Sequence, residues 1–452
     1  MAEKDPNAQS DFMIEKIKER PINKGKLVRR MLFTAAMAVL FGLVACVIFL
    51  SLEPVLSRWM NPEKELPKIY FPEETEEMSP EEMLIESPQE TVAPTNSPVV
   101  RGPEEMDPFA PELTEEQIRD ILSQIQLDQI NYRQMYNAMS EYARQMQKSM
   151  VTLTGITSRV DWFDNVNEMK NRASGIIIVN NTKELMILTD YSSLENAQRL
   201  NVEFCNGAVT TAEFKRKDPS TGLAVVSVPV EALPEEFLKE TIAVAKIGSS
   251  NYRDMVGMPI IALGSPMGSV NSAGFGIITS TSGQASDEDV NYKLLQTDIV
   301  GSPNADGALF DLYGQFIGFI TQRYNERGME NVITAYGVSD LKKRMEKLSN
   351  NQPFAYFGIY GTSVALNVHE ELKVPYGAYV KDVALDSPAM RAGIQKGDLI
   401  IQIDDRDVNN FPDYITILNN KTPDTTIRVK ILRQTLNGYK EMQMDVQLGE
   451  LK

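Results

Sequence analysis

The sequence predicts a mainly β protein held behind an N-terminal apolar span. Three observations point there. After Met150 the chain runs in short alternating or β-branched stretches separated by turns, which indicates an all-β sandwich or barrel. Residues 31–52 form an apolar run with no charged side chain, long enough at ~1.5 Å per residue to cross a hydrocarbon core of ~30 Å. Residues 53–112, which follow it, are dominated by glutamate, proline, serine and threonine, a composition that buries too little to fold.

Composition bounds the function classes. A length of 452 residues leaves room for two or three domains. The net charge of −17 removes nucleic acid from the expected partners, since neutralising phosphates takes clustered lysine and arginine. Cys46 and Cys205 are the only cysteines and cannot build a disulfide framework. His369 is the only histidine, so every histidine-dependent mechanism must use it or be abandoned. It lies on a polar stretch with no cysteine cluster or second histidine nearby, so no metal or other cofactor is expected.

Taken in order, Lys16, Lys18, Arg20, Lys24, Lys26, Arg29 and Arg30 precede the apolar run, and Glu53 follows it. The positive-inside bias makes residues 1–30 a cytoplasmic basic tail, residues 31–52 a single transmembrane helix, and everything beyond Leu52 extracytoplasmic. A cleaved signal peptide would carry a shorter apolar region with a small-x-small end, whereas this run ends Phe49-Leu50-Ser51-Leu52. A buried soluble helix would keep a polar face. Eleven of the chain's 24 prolines fall before residue 112 in the next segment, which predicts an extended, disordered acidic linker.

A helix leading into the β region is expected over residues 113–150. Thr114 and Gln117 have capping-box spacing, and Leu113 and Ile118 are placed as a hydrophobic staple. Ile118, Ile125, Tyr132, Met139 and Met146 recur every seven residues, but the companion seam breaks at Asp128 and Gln129. A coiled-coil stalk, and with it a homo-oligomer, stays open beside a helix packed on its own domain.

From residue 151 to 348 the strand-like runs include Ser174–Val179, Leu223–Val228, Pro259–Leu263 and Gln315–Ile320. In order, the segments resemble the protease domain of the HtrA family. Ala173-Ser174-Gly175-Ile176-Ile177 is similar to its Gly-Ser-Gly-(Val/Ile)-Ile strand, and Ile187-Leu188-Thr189 to the strand leading into its catalytic histidine. Asp218 to Val226 resembles the segment carrying the catalytic aspartate, and Gln296-Thr297-Asp298 the opening of the nucleophile loop. Ala262–Gly268 and Gly274–Ser280 resemble its later strands and turns. The resemblance implies a trypsin-like double β-barrel and, in the family, serine endopeptidase chemistry.

The departures fall on that chemistry. A serine protease needs a nucleophilic Oγ, an imidazole, a carboxylate to hold the imidazole, and amides facing the oxyanion. Where the family reads Asn-Asn-His, this chain reads Asp190-Tyr191-Ser192, and its Thr-Asp-Leu-Ala becomes Thr221-Gly222-Leu223-Ala224. The nucleophile loop, Ser302-Pro303-Asn304-Ala305-Asp306-Gly307-Ala308, is one residue short. Asp306 falls at the serine and Asn304 at the oxyanion glycine. Ser192, Gly222 and Asp306 therefore mark a degenerate triad with no catalytic set, and a carboxylate has the wrong sign beside an oxyanion. No lysine motif points to a Ser–Lys pair.

Residues 353–450 resemble a PDZ domain of the HtrA type. Tyr356-Phe357-Gly358-Ile359 matches its carboxylate-binding loop, and Gly377-Ala378-Tyr379-Val380 followed by Asp386 to Ile400 its most recognisable stretch. In such domains loop N–H groups hold a peptide's terminal carboxylate while the peptide adds as a strand. The resemblance puts Tyr356, Phe357, Gly358 and Ile359 at the groove. Ile415 and Leu418, a turn apart on the groove helix, supply either its apolar pocket or ordinary core. Asp404, Asp405 and Asp407 lack the pattern of a calcium loop and read as solvated. Asp287-Glu288-Asp289 likewise reads as a solvated surface loop without chemistry.

The expected function is that of a membrane-anchored, extracytoplasmic pseudoprotease. It would bind peptide C-termini or unfolded protein segments through the PDZ domain. An active serine endopeptidase of envelope protein quality control is the alternative, and a stalked oligomeric scaffold the third reading.

Overall fold

The structure, a computed structural model, describes residues 68–71, 129–160, 166–325, 327–436 and 438–452, with Leu32, Phe33, Ala35, Met37 and Leu43. Those last five are helical. The predicted 31–52 span as a whole, most of the 53–112 linker and the helix start at Thr114 lie outside the described residues. Among the described residues no helix is long and apolar enough to cross a membrane.

Strands β1 (Met150–Val160), β2 (Val166–Asn180), β3 (Glu184–Asp190), β4 (Arg199–Phe204), β5 (Val209–Lys217) and β6 (Leu223–Pro229) close a barrel in the order β1-β2-β3-β6-β5-β4. The second barrel uses β7 (Lys246–Ile247), β8 (Pro259–Gly264), β9 (Ser272–Asp287), β10 (Val290–Val300), β11 (Gly307–Asp311), β12 (Gln315–Ile320) and β13 (Val332–Gly337). Its ring runs β11-β8-β9-β10-β13-β12 and closes through β11 and β12, with β7 added parallel to β12. This is the double barrel that the resemblance implied.

Why the strands are continuous apolar runs follows from where their faces go. Side chains alternate between the two faces of a strand. Ile177, Ile187 and Val226 fill the first barrel, whereas Ile176, Ile178, Met186, Leu188 and Val225 join the layer between the barrels. In β8, Ile260 and Ala262 fill the second barrel while Ile261 and Leu263 face that shared layer. Both faces are dry, so both parities must be apolar, at about 1.5–3 kcal/mol per large side chain buried.

Helix α1 (Gln129–Met146) ends against this layer through Ala143 and Met146. The seven-residue repeat is split by that packing: Tyr132 is exposed, Met139 half-buried and Met146 buried. Helix α2 (Val338–Ser349) carries Val338, Leu341, Met345 and Leu348 on one face toward the barrels. Arg344 on α2 pairs with buried Asp218 at 2.7 Å and so ties the helix to the loop between β5 and β6.

The linker expectation needs one correction. Within the stretch predicted to be disordered, Ile69 donates its N–H to Asn350 Oδ1 and accepts from Asn350 Nδ2, at 3.0 and 2.8 Å. Ile69 and Phe71 pack on the inter-barrel core. Ile69-Tyr70-Phe71 is a short apolar patch inside the acidic stretch, and it docks because it has surface worth burying.

The C-terminal domain comprises β14 (Ala355–Tyr356), β15 (Ile359–Ser363), α3 (Leu366–Leu372), β16 (Ala378–Val383), α4 (Pro388–Ala392), β17 (Leu399–Ile403), β18 (Arg406–Asp407), α5 (Phe411–Asn419), β19 (Thr426–Thr435), β20 (Gly438–Gln447) and β21 (Gly449–Glu450). Its main sheet runs β15-β16-β17-β19-β20 around a separate core of Phe357, Val380, Ile400, Phe411, Val429 and Ile431. This is the expected PDZ fold.

Candidate functional site

The three positions matched to a triad gather at one end of the first barrel. Ser192 follows β3, Gly222 precedes β6, and β3 pairs with β6 up to Asp190 and Leu223. The Tyr191 N–H donates to the Gly222 carbonyl at 2.8 Å, joining the two segments. Asp306 reaches the same region through β2, whose Gly175 pairs with Thr189 of β3.

Of the three, Gly222 contributes no side chain and the Asp306 carboxylate is engaged within the protein. Ser192 is exposed, with its N–H held by Asp190 Oδ1 at 2.7 Å. Gly222 lies at φ +74, and a Cβ there would meet Arg323 Nη1 at 3.0 Å. That guanidinium donates to the Ser220 carbonyl at 2.9 Å. A cation therefore lies beside Gly222, the position that the resemblance matches to the family aspartate. Asp306 is only 8% exposed. Its carboxylate accepts the Ser174 N–H and Oγ at 2.6 and 2.7 Å and also the Ser265 hydroxyl. Ser174 belongs to the first barrel and Ser265 follows β8 of the second, so Asp306 staples the two barrels together. In the same loop the Asn304 N–H donates to Ser302 Oγ and the Ala305 N–H to the Ser302 carbonyl.

The PDZ loop is geometrically complete. Gly358 sits at φ +92, and a Cβ there would lie 2.3 Å from Ser387 Cβ, so only glycine lets the loop turn. The N–H groups of Phe357, Gly358 and Ile359 consequently point one way. They converge on the carboxylate of Asp289, at 2.7, 2.7 and 3.0 Å. Tyr414 on α5 donates its hydroxyl to the same carboxylate at 2.6 Å, its ring edge-on to Phe357. The Asp289 N–H in turn donates to the Ile359 carbonyl at 2.8 Å.

Asp289 is the turn residue, with Glu288, between β9 and β10 of the second barrel. The solvated-loop reading of Asp287-Glu288-Asp289 is thus overturned at Asp289, which is 6% exposed and fully engaged. Burial pushes its carboxyl above the ordinary carboxylate range, against the pull of the Tyr414 hydroxyl and the three amides. Glu288 accepts the Tyr360 hydroxyl at 3.1 Å.

Of the other residues singled out in the sequence, Tyr356 is half-buried beside the loop. Phe357 and Ile359 face the PDZ core and offer the groove their backbone. Leu418 lies in that core too, whereas Ile415 lines a cavity of about 540 Å³ with Phe411, Thr362 and Asn291. His369 stacks on Tyr376 at 3.8 Å. Asp405 and Asp407 are exposed, and Asp404 pairs with Lys421 at 2.5 Å. Sequence reasoning missed Asp289, Asn291 and Tyr414. A short acidic hairpin turn carries no local mark of a partner 70 residues away. Tyr414, adjacent to Ile415, could have been found by asking which helix residue closes the loop.

Known families match both domains: the Trypsin-like peptidase domain over residues 173–319 and the PDZ domain over residues 343–448. The serine protease Do-like HtrB of Bacillus subtilis (strain 168) is 29% identical over 290 residues, covering 59% of this chain and 61% of that protein. A probable periplasmic serine endoprotease, DegP-like, of Halomonas elongata is 26% identical over 272 residues, covering 59% of this chain and 54% of the relative. The chain thus spans 54–61% of the length of these curated relatives. Among solved structures, the HtrA-type protease AlgW with a decapeptide superposes with a TM-score of 0.51 at 21% identity, covering 69% of this chain and 98% of that one; that likeness bears on the fold alone. Matched along both domains, this chain is a homologue of the HtrA and DegP-like serine proteases, a trypsin-like peptidase domain followed by a PDZ domain.

Proposed function

We propose that this protein is a membrane-anchored, extracytoplasmic pseudoprotease that acts as a peptide-binding or regulatory module through its PDZ domain. One observation carries the reading: three backbone N–H groups and a tyrosine hydroxyl converge on a single carboxylate in the Phe357–Ile359 loop. A loop that holds an aspartate carboxylate this way offers the same charge complement to the terminal carboxylate of a peptide. AlgW was solved with a decapeptide and with a tripeptide, which supports a peptide ligand. The DegP-like relatives are periplasmic by name, which supports an extracytoplasmic location. The basic flank and uncharged run of residues 31–52 support the anchor.

Catalysis is assigned to none of the barrel residues. Ser192, Gly222 and Asp306 supply neither an imidazole nor a poised hydroxyl with a base, and acyl transfer needs both together with oxyanion donors. The relatives' names favour a second reading, an active serine endopeptidase. A serine-directed fluorophosphonate separates the two: the purified chain should remain unlabelled and leave unfolded protein intact. Labelling abolished by changing one serine would establish the second reading. For the groove, a peptide with a free apolar C-terminus should bind more tightly than its amidated twin by on the order of 1–3 kcal/mol. Equal affinities in calorimetry would remove C-terminal recognition.

A further inference from the structure

We infer that the tip of the β9–β10 hairpin is a built-in ligand of the PDZ groove. Asp289 occupies the seat of a peptide's terminal carboxylate, so an outside C-terminus binds by evicting it. This rests on the reading of the groove as a receptor for C-termini.

The hairpin is built as an arm. β8 pairs with β9 only as far as Ile277, and β13 meets β10 only from Leu294 onward. Beyond those points, Gln284–Asp287 and Val290–Lys293 pair only with each other in the sheet, up to the Asp287–Val290 closure. The two strands thus outrun the barrel and carry the turn to the PDZ domain. Asp289 takes φ +61 there, a conformation that aspartate and asparagine tolerate better than most residues.

The contacts at the tip repeat what strand addition of a peptide would make. The carboxylate fills the loop amides, and the Asp289 N–H pairs with the Ile359 carbonyl at the start of β15. Two residues on, Asn291 Nδ2 donates to the Gly361 carbonyl at 3.2 Å, the next acceptor on that edge. A backbone donor, a carboxylate and a side-chain amide therefore satisfy the strand edge that a ligand would use. Past the tip a cavity of about 540 Å³ lies between Thr362 on β15 with Phe411 and Ile415 on α5, on one side, and the arm's own Val290 and Lys293 with Arg344 of α2, on the other. The arm takes the carboxylate seat, and its first residues past the tip line the space beside the groove.

Two carboxylates cannot share one set of amides. Peptide capture and arm docking are consequently mutually exclusive, and binding a C-terminus frees the arm, and with it a contact between barrel and PDZ domain. A groove whose competent form is only fractionally populated loses apparent affinity in proportion to that fraction. A tethered competitor at millimolar effective concentration is well placed to impose such a loss.

The test uses the full chain in detergent, with a short fluorescent peptide ending in valine as the free acid and as the amide. Two variants release the tip: Asp289→Asn keeps its shape without the charge, and Asp289→Gly removes the side chain while accepting the positive φ. Each should bind the free-acid peptide about 10- to 100-fold more tightly than the unaltered protein, with the amide weak throughout. In the unaltered protein, saturating free-acid peptide should speed hydrogen exchange over residues 285–291, and the amide should not. Free acid favoured over amide but bound equally by all three proteins, without faster exchange, overturns the built-in ligand and leaves the groove reading standing. Free acid and amide binding the variants equally overturns the groove reading itself.

Discussion

Replacing Asp306 by serine puts a hydroxyl at the position matched to the family nucleophile, and the structure predicts a cost in stability with no gain in activity. The carboxylate accepts the Ser174 N–H, the Ser174 hydroxyl and the Ser265 hydroxyl. A serine side chain is too short to reach all three. The two serine hydroxyls lie 3.5 Å apart and can turn toward each other, so their loss is small. The Ser174 N–H cannot turn. Ser174 is 3% exposed, and a buried amide left without an acceptor costs about 1–3 kcal/mol. Lost bonding between the two barrels adds to this, and relief from burying a carboxylate subtracts. The net is a destabilisation of about 2 kcal/mol, or ~4–8 °C in the melting of a domain this size. Asp306→Asn keeps an acceptor for the Ser174 amide and should cost less. No fluorophosphonate labelling is expected of Asp306→Ser if, as the resemblance implies, Ser192 takes the histidine position, since the group beside Gly222 is then the Arg323 guanidinium and not a base. Adding Gly222→Asp brings strain of ~1–2 kcal/mol at φ +74 and a side chain directed at Arg323. Differential scanning calorimetry and gel fluorescence read the two outcomes. An unchanged melting temperature would show that Asp306 does not staple the barrels, and labelling of the substituted chain would show that a base is present after all.

Three further outcomes follow from the same structure. Burial raises the Asp311 carboxyl from 3.8 to about 6, against the amides of Gln315 and Tyr313; the folded state therefore binds that proton more tightly, and stability present below pH 3.8 is lost as pH rises through 6. Asp311→Asn should accordingly stabilise the protein at pH 7 by up to about 3 kcal/mol and do nothing at pH 3.5, and denaturant titrations with the same gain at both values would contradict it. Gly358→Ala, with its Cβ 2.3 Å from Ser387 Cβ and φ at +92, should distort the loop and abolish preference for free-acid over amidated peptides; a preserved preference in calorimetry would relocate the receptor. Protease added outside intact spheroplasts should remove a C-terminal epitope, and protection until the membrane is broken would refute the proposed topology.

How much of this was legible in the sequence depended on whether the physics was local. The strands were legible because both of their faces are buried: Ile176-Ile177-Ile178 feeds one core and then the other, and such a run has few alternatives to a strand. The loop Tyr356 to Ile359 was legible through its resemblance to the carboxylate-binding loop of HtrA-type PDZ domains, and the structure adds why its glycine is needed there. The missed features are all pairings across long stretches of chain. Asp306 looked like a charge spoiling an oxyanion site, and its engagement with Ser174, 132 residues away, could not be read from its neighbours. Arg323 covers Gly222 from a turn beyond β12. Asp289 shows the difficulty most sharply. In sequence it is one of three acids in a turn, and on composition alone solvation is the cheapest fate for such a residue. Solvation loses only where another surface supplies enough donors to repay dehydration, and here three amides and a tyrosine do so. That surface is itself defined by a motif recognisable 70 residues downstream. A carboxylate receptor and an acidic turn in one chain are therefore a pair worth testing against each other whenever the strands bearing the turn are longer than their barrel needs.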